Sequence, residues 1–216
     1  MVHAGNIGEV LGILRRAVRA WRVPVVGHYR HDPFETLVSC LLSLRTQDAT
    51  TAAASERLLR LARTPQKMLT LTRRAIERAI YPVGFYRTKA RTILELSETL
   101  VERHGGKVPS DIDSLLALKG VGRKTANLVV TLAFGKYGIC VDTHVHRISN
   151  RWGLIATRTP DKSEMRLREV LPRGHWRTYN DLLVAFGQNL CHPTSPWCSR
   201  CPLDAVCPRI GVKRFR

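Results

Sequence analysis

The sequence predicts an all-α protein, on three observations. Apolar residues recur at three- and four-residue steps, convincing strand alternation is absent, and helix-starting and helix-stopping residues punctuate the chain. Val10, Leu11, Leu14, Val18 and Trp21 form the stripe of a first amphipathic helix that ends before Pro24. Asp32, Pro33 and Glu35 supply a cap, a first-turn proline and a third-position carboxylate, opening a second helix through Phe34, Leu37, Leu41 and Leu42. Further helices are expected over about 49–62, 65–71, 72–80 and 87–104, the last stopped by Gly105 and Gly106. A short one at 115–118 leads into a glycine pair. Residues 125–134 are apolar enough for a buried helix ending at Gly135, and 141–151, 162–171 and 179–190 complete the set. No internal repeat or low-complexity linker interrupts them.

With 216 residues the chain fits one domain or two small lobes. No run approaches the ~20 apolar residues of a membrane span, and the first 21 residues are too charged for a secretory signal. A soluble, cytoplasmic protein is expected. Lys and Arg number 35 against 17 Asp and Glu, a formal charge of +18, so a polyanion is the expected partner. The excess runs from Arg15, Arg16, Arg19 and Arg22 through Arg87, Lys89 and Arg91 to Lys213, Arg214 and Arg216. That spread reads as a folded basic surface and not as one basic arm.

Cys191, Cys198, Cys201 and Cys207 are separated by six, two and five residues. Four thiols this close must be bridged, metallated or left open to oxidation, and in a reducing compartment metal is favoured. Zinc sites commonly pair their ligands as two short-spaced units, whereas here Cys198 and Cys201 form one. A single wrapping loop suits a [4Fe-4S] cluster, whose irons sit at four separated corners, with zinc the alternative. Pro193, Pro196, Pro202 and Pro208 stiffen the loop. Cys40 and Cys140 lie in apolar company and read as buried, unreactive thiols.

Residues 118–126 place Gly120, Val121 and Gly122 between two helices. Two glycines permit backbone angles closed to other residues, so successive amides can face a phosphate oxygen at the next helix's N-terminus. The plain alternative is a helix–helix turn; the spacing fits neither a P-loop nor a dinucleotide fingerprint. Lys124, two residues past the hairpin, stands where the helix end disfavours another positive charge. A lysine so placed contacts phosphate or, if its amine is neutral, attacks a sugar C1′ as a nucleophile. Asp142 opens the next helix, either as its N-cap or as a carboxylate partner for that amine. His144 and His146 point to different helical faces and make poor joint ligands.

Together, residues 118–126 with Lys124, 141–144 with Asp142, and the 191–207 cysteine run resemble the endonuclease III family of helix-hairpin-helix DNA glycosylases in order and spacing. The resemblance extends through Leu41, Leu42, Ser43 and Asp48 to Val83, Gly84, Tyr86, Lys89 and Ala90. It implies a six-helix lobe over 26–136 and a second lobe from 1–25 with 137–216, with DNA lying in the cleft between them. By the same resemblance Cys191, Cys198, Cys201 and Cys207 hold a [4Fe-4S] cluster and the zinc alternative recedes. Gly120, Val121 and Gly122 grip phosphate, Lys124 is the nucleophile and Asp142 assists it. The implied activity is that of a monomeric bifunctional DNA glycosylase/AP lyase, removing oxidised pyrimidines from double-stranded DNA in base excision repair.

Phe85 matches the family's wedge position, where leucine is frequent, with a core residue as the alternative. Arg45 stands where the family usually has glutamine, and Gln47 follows two residues later. Arg45 is therefore expected either to plug the space facing the orphaned base or to contact phosphate. Lys119 replaces a common proline and is expected to add a contact to the DNA backbone. An adenine mismatch glycosylase lacks the nucleophilic lysine, and a zinc nucleobase deaminase needs a His-x-Glu that is absent here. Arg45 keeps a thymine or uracil mismatch glycosylase in view. A non-catalytic iron-sulfur DNA-binding protein would leave Lys124 and Asp142 unused.

Overall fold

The computed structural model describes residues 2–19, 21 and 32–216. The expected end of the first helix at Pro24 and the lobe boundary at residue 26 lie outside the described residues. Among the described residues there is no strand, as the all-α expectation requires. The α-helices are α1 Ile7–Val18, α2 Pro33–Ser43, α3 Asp48–Leu61, α4 Pro65–Leu69, α5 Arg73–Ile80 and α6 Tyr86–His104, then α7 Ile112–Leu116, α8 Arg123–Leu132, α9 Thr143–Arg151, α10 Pro160–Val170 and α11 Trp176–Asn189. None of them is long and apolar enough to cross a membrane.

Local chemistry sets most of the helix starts. Asp32 accepts from the Glu35 amide at 2.8 Å, Thr64 from Lys67 at 3.2 Å, Thr72 from Ala75 at 3.2 Å and Thr159 from Lys162 at 3.3 Å. Proline occupies the first turn of α2, α4 and α10, where its missing N–H costs nothing. Each such cap contributes about 1 kcal/mol. Starts at α8, α9 and α10 differ from expectation by two residues, and two others by three. α7 begins at Ile112 and not at 115, because Asp111 caps it by accepting from the Ser114 amide at 2.8 Å. α11 begins at Trp176 and not at 179, continuing from a 3-10 turn at Arg173–His175.

Two compact units result, Val25–Lys136 and Met1–Pro24 with Tyr137–Arg216, called here the hairpin unit and the cysteine unit. In the hairpin unit α2 is the central element and is buried nearly all round. Leu37, Leu41, Leu58, Met68, Ile76, Ile93, Leu96 and Val129 form its core with it. Cys40 lies inside, and burial pushes its thiol up to about 12, which makes it the inert core residue expected; Cys140 is buried as well. The cysteine unit packs Leu11, Leu14, Val145, Ile148, Trp152, Leu183 and Phe186 together. Its buried Tyr179 hydroxyl is satisfied by Ser149 Oγ at 2.9 Å. Gly187 of α11 lets α9 approach, since a Cβ there would meet His144 Nδ1 at 2.2 Å.

Candidate functional site

The hairpin unit carries the glycine turn between α7 and α8. Gly120 has φ +81°, and a Cβ there would also meet Thr92 Cγ2 at 2.5 Å, so both backbone and packing demand glycine. Val121 N donates to Leu118 O at 3.1 Å, closing the turn, and the Val121 side chain is buried in the core. The Val121 amide is thus spent inside the turn, and its side chain is unavailable to a ligand. Gly122 caps α8 without a side chain, and a Cβ there would meet nothing within 4 Å. The first amides of α8 therefore point out of a helix end that no capping side chain of Gly122 covers, the arrangement that binds anions. Lys124 stands half-buried in the first turn of the same helix. Lys119, expected to reach the DNA backbone, is placed with its ammonium 3.0 Å from Glu95 Oε2.

In the cysteine unit Asp142 is the N-cap of α9, its Oδ1 accepting from the His144 and Val145 amides at 2.8 and 2.9 Å. At the other end of α9, Arg147 and Arg151 lie one turn apart and reach the cysteine loop. Arg147 donates to Cys191 O at 2.7 Å. Arg151, 8% exposed, donates to His192 O at 2.6 Å, Pro193 O at 2.7 Å and Cys191 Sγ at 3.3 Å. Sequence reasoning missed both arginines; the signal was a four-residue spacing on the face that also carries buried Ile148. α9 thus ties Asp142 to the first cysteine through one rigid element.

Cys191, Cys198, Cys201 and Cys207 line a single recess, with Trp197 and Arg151 among its walls. Burial, with the neighbouring sulfurs adding to it, raises the Cys198 and Cys207 thiols and brings Cys201 to about 11. Among the described residues no group of three or more His, Cys, Asp or Glu side chains forms a site for a single metal ion. Four sulfurs delivered by one loop to one recess are, as a donor set, suited to a thiolate-bound cluster.

A third feature joins the residues on either side of two turns of the hairpin unit. Arg45 and Phe85, both exposed and both in left-handed backbone (φ +54° and +58°), meet with the guanidinium carbon 4.7 Å from the ring centroid. Phe85 is 58% exposed, so it is not the core residue that was its alternative reading. Gln47 is the exposed N-cap of α3 and contributes no side-chain cap bond. The Lys89 ammonium of α6 donates to Leu42 O at 2.8 Å, Leu44 O at 2.5 Å and Thr46 Oγ1 at 3.2 Å. Burial brings Lys89 down to about 8.

Known proteins share this architecture. The endonuclease III of Thermotoga maritima is 45% identical over 180 residues, covering 83% of this chain and 84% of that protein. A solved structure described as a trapped endonuclease III–DNA covalent intermediate superposes with TM-score 0.86 and 34% identity over 97% of both chains. A thermostable thymine-DNA glycosylase superposes with TM-score 0.81 at 25% identity over 94% of both. The family model for the HhH-GPD superfamily base excision DNA repair protein matches residues 38–173, more than half of the chain. The chain belongs to the HhH-GPD superfamily of base excision DNA repair proteins.

Proposed function

We propose that the protein is a bifunctional DNA glycosylase/AP lyase that removes oxidised pyrimidines from double-stranded DNA. The observation that carries this reading is Lys124 in the first turn of α8, directly behind the glycine turn and at a helix end that no side chain of Gly122 caps. Likeness to a structure trapped as a covalent endonuclease III–DNA intermediate supports it further.

The hairpin amides hold the sugar-phosphate backbone while the damaged nucleotide is rotated out of the stack, because the atom to be attacked is inaccessible inside it. The Lys124 amine, in its unprotonated form, attacks C1′; the C1′–N bond breaks and the base leaves with a proton. The resulting imine acidifies C2′, loss of that proton drives β-elimination, and the C3′–O bond breaks on the 3′ side. Asp142 stabilises the positive charge that develops on the sugar and assists proton transfer, a role that rests on the family resemblance. Arg45 and Phe85 occupy the space left by the departed nucleotide, as apolar wedges and polar plugs commonly do. Cys191, Cys198, Cys201 and Cys207 would hold a [4Fe-4S] cluster, which when bound ties together a loop with little apolar content of its own.

Borohydride reduction in the presence of a duplex carrying an abasic site or thymine glycol tests the reading. The protein is expected to become covalently attached, and Lys124→Gln to lose attachment and cleavage on the order of 10³-fold or more while still binding DNA. No adduct with the parent protein would overturn it. Binding should weaken steeply with salt, as several phosphates are neutralised. Iron and acid-labile sulfide in equal amounts are expected in the purified protein, and zinc in their place would contradict the cluster.

A second reading, a thymine or uracil mismatch glycosylase, is favoured by Arg45 at the family's usual glutamine position and by the likeness to a thymine-DNA glycosylase. Faster excision of thymine or uracil opposite guanine than of thymine glycol would establish it.

A further inference from the structure

Lys89 lies on α6, yet its ammonium serves a segment more than forty residues earlier in the chain. Two of its acceptors, the Leu42 and Leu44 carbonyls, lie at the end of α2, where carbonyls run out of partners within the helix. The third, the Thr46 hydroxyl, also accepts from Gly84 N at 3.2 Å. At Gly84 a Cβ would stand 2.7 Å from the Arg45 carbonyl oxygen, so the two turns are seated backbone against backbone. On that seat stand Arg45 and Phe85. Non-glycine residues in left-handed conformations persist only where their surroundings over-determine them; the three bonds of Lys89 do so for the turn of Arg45, which the Gly84–Thr46 bond joins to the turn of Phe85. The same three oxygens compensate a half-buried cation for the water it has lost.

We propose that Lys89 is a positioning residue for recognition of the base opposite the lesion: it fastens the turn bearing Arg45 to the turn bearing Phe85, so that the pair enters DNA as one pre-stacked probe. The proposal rests on the glycosylase reading above and adds the means by which opposite-base preference is set. A guanidinium lying on an aromatic face presents a flat surface with donors on its rim, suited to the edge of an unpaired base. Fixing that surface before insertion removes an ordering cost that a free arginine would meet on binding.

The test compares single-turnover excision of thymine glycol placed opposite each of the four bases, with cleavage of a preformed abasic site alongside. Lys89→Met is expected to lower excision about tenfold and to shrink the spread among opposite bases to that of Arg45→Ala, with the combined variant adding little more, as for coupled residues. Abasic-site cleavage should fall less than excision, since no base has to be expelled. Thr46→Val, which removes one Lys89 bond, the Gly84 bond and the hydroxyl's own bond to Leu44 O, should act in the same direction to a smaller extent.

An unchanged spread in Lys89→Met, effects that simply add to those of Arg45→Ala, or a parent protein without opposite-base preference would each overturn the proposal. If Lys89→Met fails to fold by circular dichroism, Thr46→Val decides alone, and an unchanged spread there overturns it. A parent that forms no borohydride adduct removes the glycosylase/lyase reading and the proposal with it. A parent that traps and excises normally while its variants keep the parent's spread removes only the role of Lys89.

Discussion

The two units hold their functional parts by different means. In the hairpin unit the glycine turn and Lys124 ride on the end of α8, and the side chain between the glycines, Val121, is sunk in the core. In the cysteine unit, residues beyond α11 form no α-helix among the described residues, only a 3-10 turn at Cys198–Arg200. That loop is held from outside by Arg147 and Arg151, into the core by buried Leu203, and within itself by Trp197, whose ring lies under Arg200 at 5.4 Å and Arg216 at 4.4 Å. A site made of helix termini draws on a core shared by many residues, whereas this loop depends on one buried leucine and a few long cations.

The largest expected effect breaks that contrast on the cysteine side. Arg151→Ala leaves the His192 and Pro193 carbonyls without their donor and should cost about 3 kcal/mol. All four tryptophans, Trp21, Trp152, Trp176 and Trp197, belong to this unit, so urea unfolding followed by tryptophan fluorescence reads it selectively. The fluorescence transition should move while hydrogen-exchange protection in α2 and α6 stays as it was. Equal loss of protection in both units would show that the loop is not held separately.

Within the hairpin unit the two glycines should separate. Gly120→Ala forces a methyl against Thr92 at a positive φ and is expected to cost about 1–2 kcal/mol, whereas Gly122→Ala meets no clash and should cost only the weaker N-cap of alanine, under about 1 kcal/mol. A loss at Gly122 as large as that at Gly120 would mean that its environment is tighter than the open space observed.

Asp142 joins structure to chemistry and permits a finer cut. Asp142→Ala removes the α9 cap and should cost about 1 kcal/mol. Asp142→Asn keeps an acceptor for the two amides and should be nearly neutral in thermal melts. Under the proposed mechanism both variants lose excision, because the carboxylate charge is gone in each.

The smallest effect is one of acidity. The Ser114 amide and side chain hold the Asp111 carboxyl below its ordinary value. Its stabilisation of α7 is therefore present above the unfolded carboxylate range and is lost as pH falls through the depressed folded value. Asp111→Asn should retain a cap and lose that acid-side slope, as followed by amide exchange across α7.

The legible parts of this protein were those written in neighbouring residues. Asp32 with Glu35 and Thr64 before Pro65 announce helix starts within four positions of the bonds they make, whereas the start at Thr159 and Pro160 lies two residues ahead of the expected 162. The glycine turn and the cysteine run were visible for the same reason, since their chemistry lies in spacing. Lys89, Arg147 and Arg151 were not visible in their roles. Their partners stand some forty residues away, and a lysine or arginine on a helix reads locally as surface charge. Lys119, expected from the resemblance to contact the DNA backbone, stands largely exposed with its ammonium 3.0 Å from Glu95 of α6, a partner that its own neighbourhood in the sequence does not announce. Long cations take their meaning from tertiary placement, which no local window contains.

The left-handed backbones of Arg45 and Phe85 carry a consequence for anyone engineering this scaffold. Glycine adopts such angles freely, whereas any other residue forgoes about 1 kcal/mol or more there. A selection for heat tolerance alone would favour glycine at positions 45 and 85, and would harvest sturdier molecules stripped of the two side chains that the proposed function presents to the duplex. Screens on this protein need a substrate in the tube as well as a thermometer.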